Sequence, residues 1–401
     1  MHFIILLPLL FVLSSALNNN LGLTPPMGWN TWNRYGCDIN ETVVMTNAEM
    51  LGILGLDKLG YRYVNVDDCW NLATRDSMSN RTIVDPERFP SGMKALSDFV
   101  HDRGLKFGIY SSAGTLTCEG RAGSLGYEDL DAQDYVSWGV DYLKYDNCFN
   151  EGIPSFERYQ TMKKALEKAA HNHTIFYSIC NWGLEEVWQW GNETGNSWRT
   201  AGDIFNSWES VKYNFEVNQL HPDVAGPGGW NDPDMLEVGN GGLSHTEERT
   251  HFALWAVVKA PLILGCNLNT ISNRSLSIIS NKELIKLNQD SKGDQAVCVH
   301  NCHSLKDSED VQVFGGWNKD NGGYYGLVAV NWNDLESKPI SIDFKSLGLT
   351  KSSEEYCSVY DLWNKGVHIG NYQGKYLIPN IDPHDNVALK IKCKRKASSL
   401  E

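Results

Sequence analysis

Aspartate residues recur at the ends of short apolar segments in the first 290 residues, where several of them could meet in one site. They are Asp67, Asp68, Asp146, Asp203, Asp232 and Asp234. An aspartate buried without a partner costs free energy, so packing does not account for so many carboxylates at segment ends. Clustered carboxylates suit two chemistries, which are hydrolysis at a divalent metal and glycoside hydrolysis with a nucleophile and an acid/base.

Aromatic residues accompany these aspartates, and histidines do not. The aromatic residues at segment ends are Trp29, Trp32, Trp70, Tyr110 and Trp182. Histidine commonly ligates catalytic metals, whereas the faces of aromatic rings stack on the C–H faces of sugars. The pattern therefore favours a glycoside hydrolase and no bound metal, with an inactive sugar-binding protein as the alternative.

Lys144 and Asp146 are two residues apart in an apolar segment, and in a strand they would share a face. An ammonium group beside a carboxylate lowers the pKa of the carboxylate, which suits a nucleophile that must be ionised. The same spacing also fits an ordinary ion pair at a strand end. A general acid needs a raised pKa instead, and nothing in the sequence around Asp203 and Arg199 supplies one.

The apolar segments alternate with helical patterns in a way that predicts repeated βα units. The predicted strands are 27–32, 63–69, 106–111, 140–148, 175–182, 198–203, 229–234 and 261–267, and the predicted helices are 42–59, 93–103, 129–138, 156–171, 206–219 and 247–258. Eight strands within about 270 residues match a (β/α)8 TIM barrel, in which strand ends carry the reacting groups. An open doubly wound sheet is the alternative, but it would usually show a glycine-rich phosphate loop.

The pattern changes after residue 290. Short alternating segments at 311–314, 324–330, 340–344, 356–363 and 387–391 are separated by Gly, Asn, Asp and Pro. They predict a C-terminal antiparallel β-sandwich domain. We therefore expect a catalytic barrel at 17–290, a β domain at 291–395 and a tail at 396–401.

Composition excludes some partners. The chain has 401 residues with 49 acidic and 35 basic side chains, a net charge of −14. Such a chain has no basic surface for phosphates, so nucleic acid and anionic membranes are not expected partners. Whether the chain forms a homo-oligomer is left open.

The N-terminal residues predict export. Residues 1–16 combine a short apolar run with small residues before a cleavage point, as in a signal peptide. Sequons for glycosylation occur at Asn40, Asn80, Asn172, Asn192 and Asn273. Ten cysteines in an exported protein indicate disulfides. We expect a secreted protein, with a vacuole or lysosome as alternative destinations.

Eight motifs across residues 21–290 carry a resemblance to a known family. In chain order they read TPPMGWNTWNRYGC, YVNVDDCW, KFGIYSSAG, DYLKYDNC, CNWG, SWRTAGDI, GGWNDPDMLEVG and KAPLILGCNL. With these motifs the chain resembles the melibiase family of α-galactosidases, glycoside hydrolase family 27. The resemblance implies a barrel followed by a β domain, hydrolysis of terminal α-galactosyl residues from sugars such as melibiose or raffinose, retention by double displacement, and no cofactor.

The resemblance also implies roles for single residues. Asp146 matches the nucleophile of the family and Asp203 its acid/base. Asp67 and Asp68 resemble the pair that binds the 4- and 6-hydroxyls of galactose. The other residues matched to the substrate pocket are Trp32, Tyr110, Lys144, Cys180, Trp182, Arg199 and Asp232.

Disulfide pairs follow from the resemblance in part. Cys37 with Cys69 and Cys118 with Cys148 resemble pairs of the family. Proximity suggests two further pairs, Cys298 with Cys302 and Cys357 with Cys393. Cys180 and Cys266 would then remain free.

The closest alternative is an α-N-acetylgalactosaminidase of the same family. That specificity goes with small residues after the fifth strand, whereas this chain has Asn181 and Leu184 there. We therefore favour galactose. A β-L-arabinopyranosidase is weaker because Asp67 and Asp68 are both present, and a non-catalytic galactose-binding barrel would be expected to lack a nucleophile or an acid.

Overall fold

The computed structural model describes residues 17, 19–170, 173–291, 293–304, 310–320, 322–351 and 355–394. The predicted signal peptide at 1–16, the sequon at Asn172 and the tail at 396–401 lie outside these residues. Among the helices described, none is both long enough and apolar enough to cross a membrane.

The N-terminal part of the described chain contains ten strands, and eight of them form one parallel sheet. In chain order the strands are β1 (Met27–Asn30), β2 (Tyr63–Asn65), β3 (Asn71–Arg75), β4 (Thr82–Val84), β5 (Lys106–Ser112), β6 (Tyr142–Asp146), β7 (Phe176–Cys180), β8 (Ser197–Arg199), β9 (Trp230–Asp232) and β10 (Leu262–Leu264). Strands β3 and β4 pair only with each other, as a hairpin.

The parallel sheet closes on itself. Its order is β10-β1-β2-β5-β6-β7-β8-β9, and Leu236, just after β9, bridges to Leu264 of β10. Close approach of neighbouring strands requires Gly28, because a Cβ there would lie 2.3 Å from the carbonyl oxygen of Tyr63. Closure confirms the predicted (β/α)8 barrel and rules out the open doubly wound sheet.

Helices surround the barrel. They are α1 (Trp32–Tyr35), α2 (Glu41–Ile53), α3 (Gly92–His101), α4 (Glu128–Trp138), α5 (Ser155–Ala169), α6 (Val187–Thr194), α7 (Trp208–Asn218), α8 (His245–Val257), α9 (Asn273–Ile279) and α10 (Lys282–Asn288). The start of α8 shows why local sequence fixes a helix end. The side chain of Ser244 accepts from the N–H of Glu247, whose carboxylate accepts from the N–H of Ser244, a reciprocal cap.

Some predicted bounds are wrong, for identifiable reasons. The helix predicted at 42–59 ends at Ile53, because Leu56 is fully buried and its N–H turns back to the carbonyl of Leu51. The strand predicted at 63–69 stops at Asn65. Beyond it the N–H groups of Asp68 and Cys69 bond to carboxylate side chains instead of a neighbouring strand.

The C-terminal part is antiparallel, as predicted. Its strands are β11 (Val297–His300), β12 (Val311–Asn318), β13 (Tyr324–Asn331), β14 (Lys338–Asp343), β15 (Tyr356–Asp361), β16 (Val367–Gln373), β17 (Lys375–Ile381) and β18 (Asn386–Lys394). A sheet of order β11-β12-β13-β18-β15-β16 and the β14-β17 pair enclose an apolar core. Strands β11, β16 and β17 were not predicted, and in each of them most residues are exposed or only half-buried.

Aromatic side chains join the barrel to the β domain. The Trp208 indole on α7 stacks on Trp332, with ring centroids 5.6 Å apart, and on His384 at 5.1 Å. The Thr250 hydroxyl on α8 donates to the carbonyl of His384 at 2.7 Å. We propose 17–290 and 291–395 as the two domains, since the last barrel helix ends at Asn288 and β11 begins at Val297.

Candidate active site

Asp67 is the centre of a buried hydrogen-bonded cluster at the mouth of the barrel. Its Oδ2 accepts from Lys144 Nζ at 2.8 Å and from Asn30 Nδ2 at 2.7 Å. Side chains from β1 and β6 thus bind the carboxylate of Asp67, which follows β2. The expected neighbour of Lys144 was Asp146, and this expectation is wrong as to the direct contact. Lys144 acts on Asp146 only through its charge.

Asp68 lies beside Asp67 and is equally buried. Its two carboxylate oxygens accept from the N–H groups of Cys69 and Glu119, at 2.6 and 3.0 Å. Burial nevertheless raises the pKa of Asp68 to about 6. The carboxyl groups of Asp67 and Asp68 are thus held in fixed orientations by the fold.

Asp146 ends strand β6, and its side chain is buried. The Tyr110 hydroxyl, from β5, donates to its Oδ2 at 2.9 Å, and the N–H of Asn147 donates to its Oδ1 at 2.8 Å. Burial raises the pKa of Asp146, and the positive charge of Lys144 opposes that effect. The hydrogen bonds also favour the ionised form, but the effect of burial prevails.

Asp203 lies in the loop after β8, and its side chain is about half exposed (47%). Arg199, at the end of β8, places Nη2 3.0 Å from Asp203 Oδ1 and 3.0 Å from Asp234 Oδ2. The guanidinium is itself almost completely buried. One buried cation therefore serves two carboxylates on neighbouring loops.

The pKa of Asp203 is lowered. Partial burial raises it, but the charges of Arg199 and Lys144 and the hydrogen bond from Arg199 outweigh burial. A general acid was expected to have a raised pKa, so the structure departs from that expectation. The physical reason is the direct ion pair with Arg199, four residues earlier, which becomes a contact only because the chain turns after β8.

Asp232 ends strand β9 and is buried near the same cation. Burial raises its pKa to about 6, although Arg199 acts in the opposite direction. Its Oδ1 accepts from the N–H of Asp234 at 2.8 Å. A cavity of about 20 Å³ adjoins these groups, which is room for about one water molecule. The side chains lining it include Lys144, Cys180, Arg199, Asp232 and Asp234.

The predicted aromatic residues separate into two groups. Trp32 and Trp182 are half-buried, and Tyr110 contacts Asp146 directly. Trp29 and Trp70 are fully buried, with indole N–H groups donating to the backbone carbonyls of Cys266 and Tyr110. Placing Trp29 and Trp70 against a sugar was therefore wrong, because their rings pack in the core.

Disulfides occur in both domains, and two of them join loops of the barrel, namely Cys37–Cys69 and Cys118–Cys148. The expected pairs are all formed in the described chain, namely Cys37–Cys69, Cys118–Cys148, Cys298–Cys302 and Cys357–Cys393. Cys180 and Cys266 are free and buried, as expected. Cys180 Sγ accepts from Arg199 Nη1 at 3.6 Å, and burial raises the pKa of its thiol. Cys180 therefore packs beneath the pocket as a neutral thiol.

Potential metal ligands come together in two places within the described residues. One group is Cys37, Cys69 and Glu119, and the other is Cys118, Asp146 and Cys148. In each group the two cysteines form one disulfide. A metal site at a cysteine uses its thiolate, so neither group offers cysteine ligands.

Three residues of the site were missed or left without a role by the sequence. Asn30 donates to Asp67, and Asp234 shares Arg199 with Asp203. Glu237 accepts from Asn33 Nδ2 at 2.6 Å and so joins the loop after β9 to helix α1, which begins at Trp32. A position at the end of a strand for Asn30, or just after one for Asp234, was a usable signal, whereas nothing local marked Glu237.

The sequons lie in different environments. Asn40, Asn80 and Asn273 are exposed, whereas Asn192 is half-buried on α6. Exposure is what attachment of a glycan requires, so the first three remain the stronger predictions.

Comparison with known proteins gives a consistent result. A family model described as alpha galactosidase A matches residues 24–290, and one described as the alpha galactosidase C-terminal beta sandwich domain matches residues 287–391. Alpha-galactosidase 3 of Arabidopsis thaliana is 46% identical over 370 residues, covering 92% of this chain and 82% of the relative. The alpha-galactosidase of Cyamopsis tetragonoloba is 46% identical over 347 residues, covering 86% and 81%.

Solved structures agree in fold. Alpha-galactosidase I from Mortierella vinacea superposes with a TM-score of 0.84 at 38% identity, covering 93% of this chain and 98% of that one. The Saccharomyces cerevisiae α-galactosidase with raffinose superposes with a TM-score of 0.86 at 30% identity, covering 95% and 100%. The match extends through both the barrel and the β domain, so the chain belongs to the α-galactosidase (melibiase) family of glycoside hydrolases.

Proposed function

We propose that this protein is a retaining α-galactosidase in which Asp146 is the nucleophile and Asp203 the acid/base. The observation that carries the proposal is that the charge of Lys144 acts on both carboxylates, while Arg199 pairs directly with Asp203 at 3.0 Å. The relatives that match nearly the whole chain are named α-galactosidases, and one related structure contains raffinose.

In the first step Asp146 attacks the anomeric carbon while Asp203 protonates the leaving oxygen. A covalent galactosyl-enzyme forms. In the second step Asp203 removes a proton from water, which attacks the same carbon and releases galactose with its configuration retained. Tyr110 supports both steps, because its hydroxyl orients Asp146 and stabilises the carboxylate that must leave in the second step.

The electrostatics favour activity at acidic pH. Asp203 must carry a proton in the first step, and the ion pair with Arg199 lowers its pKa. The charge of Asp203 in turn raises the pKa of Asp146. The active form is the one in which Asp203 carries the proton and Asp146 is ionised.

Recognition of galactose is assigned to the cluster around Asp67 and Asp68. Both carboxylates are buried and oriented by donors, so a hydroxyl that meets them gains a charge-assisted hydrogen bond. A sugar with the wrong configuration at carbon 4 would not direct its hydroxyl to these carboxylates and would lose those hydrogen bonds, which gives discrimination.

Galactose rather than N-acetylgalactosamine fits the segment after β7. Asn181 is fully buried and its Nδ2 donates to the carbonyl of Leu184 at 2.7 Å. The side chain of Asn181 therefore holds the loop in place and fills the space at this position. An acetamido group would need small residues there.

Export is proposed for the chain, with the extracellular space, a vacuole or a lysosome as the destination. Disulfides in both the barrel and the β domain support an oxidising route.

The test is hydrolysis of an aryl α-galactoside in parallel with its N-acetylgalactosaminide counterpart, read as released phenol. The proposal expects the galactoside to be preferred, and the opposite preference would assign the protein to the rival specificity. Proton NMR of the first-formed sugar should show α-galactose. Initial formation of β-galactose would remove Asp146 from the nucleophile's role.

A further inference from the structure

Asn30, the last residue of β1, contacts two residues that are assigned to the sugar, yet the proposed catalytic steps give it no part. Its side chain is buried (3% exposed). The amide nitrogen donates to Asp67 Oδ2 at 2.7 Å, and the amide oxygen accepts from the N–H of Trp32 at 2.7 Å. One buried amide therefore connects a carboxylate of the pocket to the start of α1, where Trp32 lies.

The next residue, Thr31, strengthens this connection. Its hydroxyl oxygen accepts from the N–H of Asp67 at 3.0 Å, and its own N–H donates to the carbonyl of Asn65 at 3.2 Å. Thr31 and Asp67 are both buried, so bulk water does not compete for these hydrogen bonds. The end of β1 thus holds both the backbone and the side chain of Asp67, and the position of this carboxylate does not depend on β2 alone.

The two oxygens of the Asp67 carboxylate differ in the donors that they receive from the protein. Oδ2 accepts from Asn30 and from Lys144 Nζ, at 2.7 and 2.8 Å. Within the part of the chain that the structure describes, the hydrogen bond at Oδ1 comes from the N–H of Asp68, at 3.0 Å. A carboxylate has about four acceptor positions, shared equally between its oxygens. The protein thus fills the positions of Oδ2 and leaves one on Oδ1 for a sugar hydroxyl.

The amide of Asn30 contributes an orientation that the Lys144 ammonium does not. An ammonium is a point charge on a flexible stem, so it attracts a carboxylate without fixing the plane of the group. With Lys144 alone, the Asp67 carboxylate would be free to turn about its last side-chain bond and exchange its oxygens. The amide of Asn30 stands at the end of a strand, and its second hydrogen bond, from Trp32, fixes its own orientation.

We propose that Asn30 is a positioning residue for galactose, which holds the Asp67 carboxylate so that Oδ1 accepts a sugar hydroxyl and holds Trp32 against the same sugar. Asn30 acts on the sugar through these two neighbours. The inference rests on the proposed function, in which Asp67 and Asp68 bind the 4- and 6-hydroxyls of galactose.

The experiment measures the inhibition constants of three sugars with the parent protein, Asn30→Ser and Asn30→Ala. The sugars are galactose, 4-deoxygalactose and 6-deoxygalactose, which compete with an aryl α-galactoside. A serine hydroxyl can still accept from the N–H two residues later, but it ends too far from Asp67 to replace the amide. Alanine loses both contacts.

For Asn30→Ser we expect the inhibition constant of galactose to rise about tenfold. The deoxy sugar that lacks the hydroxyl bound by Asp67 should change by less than about threefold, because it cannot lose a contact that it does not make. For Asn30→Ala we expect a further rise of about threefold that is the same for all three sugars, because a wall residue such as Trp32 contacts the sugar ring rather than one hydroxyl.

Asn288→Ala is the matched control. Asn288, at the end of α10, is a fully buried amide whose Nδ2 donates to the carbonyls of Trp255 and Ala260, at 3.3 and 2.9 Å. Its loss should lower the unfolding temperature and leave the ratios between the three inhibition constants unchanged. A purely structural role of Asn30 would give the same result as this control.

The outcomes are separable. An equal rise for all three sugars in Asn30→Ser would overturn the inference, as would an unchanged inhibition constant for galactose. Equal constants in Asn30→Ser and Asn30→Ala would overturn the part that concerns Trp32. Failure of the parent protein to hydrolyse the aryl α-galactoside would instead overturn the proposed function.

Discussion

The guanidinium of Arg199 lies 3.0 Å from the carboxylate of Asp203 and is itself only 2% exposed. This ion pair lowers the pKa of the proposed acid, so the active protonation state belongs to acidic solution. Asp234 competes for the same guanidinium at 3.0 Å. The strength of the Arg199–Asp203 pair is therefore set by a third residue, which can be varied without touching either partner.

Asp234→Asn should move the alkaline limb of the pH dependence of kcat/KM to lower pH. The substitution removes a negative charge near Asp203 and leaves Arg199 to pair with Asp203 alone, so the pKa of Asp203 falls further. We expect a shift of about half to one pH unit. The amide oxygen can still accept from Ile204, which protects the loop. Asp129→Asn, an exposed charge on α4 (57% exposed), is the control, and a shift to higher pH in Asp234→Asn would contradict the argument.

Tyr110→Phe should move the acidic limb of the pH dependence of kcat/KM to higher pH. Its hydroxyl donates to Asp146 at 2.9 Å and lowers the pKa of that carboxyl, so loss of the hydroxyl raises the pKa and demands a higher pH for ionisation. We also expect kcat to fall about tenfold, because an oriented donor is lost. Tyr61→Phe removes a buried hydroxyl that donates to the carbonyl of Ile279 and should leave the limb in place. An unchanged acidic limb in Tyr110→Phe would show that the contact does not set the protonation of Asp146.

Asp146→Asn should abolish turnover while the fold survives. The amide has nearly the shape of the carboxylate but cannot form the glycosyl ester, so kcat should fall by at least about 10⁴-fold. Circular dichroism and the unfolding temperature should stay close to those of the parent. Rates like those of the parent would exclude Asp146 as the nucleophile.

Asp232→Asn should change stability in a way that depends on pH. Burial raises the folded-state pKa of Asp232 from 3.8 to about 6. Between these values the unfolded chain loses the proton while the folded chain keeps it, so this group's contribution to stability is present below pH 3.8 and is lost as the pH rises to about 6. The neutral amide has no such loss.

Urea unfolding of the parent and of Asp232→Asn at pH 4 and pH 7 measures this difference. Relative to the parent, the free energy of unfolding of the variant should increase by up to about 3 kcal/mol from pH 4 to pH 7, on the basis of 1.36 kcal/mol per pKa unit. Asp98→Asn, on an exposed carboxylate (53% exposed), is the control. A gap that stays constant with pH would show that the raised pKa of Asp232 is not expressed in folding.

The architecture and the chemical class of the site could be predicted from the sequence because both depend on local patterns. Period-two and helical apolar patterns mark βα units wherever they occur, and carboxylates placed directly after apolar strands must meet at one end of a barrel. Element bounds were less well predicted. Strand β2 ends at Asn65 because the N–H groups of Asp68 and Cys69 donate to side-chain carboxylates instead of to a neighbouring strand. No local sequence pattern predicts this change of hydrogen-bond partner.

The tertiary structure decided which groups touch. Lys144 and Asp146 share a strand face by sequence, yet the ammonium binds Asp67, which is 77 residues away in the chain. Trp29 and Trp70 follow the same local rule as Trp32, yet only closure of the barrel buries the first two completely. The pKa of Asp203 likewise depends on where Arg199 points after the turn. Residue types and spacing determine which chemistry is available, whereas distances and burial, which set the electrostatic energies, exist only once distant segments have packed together.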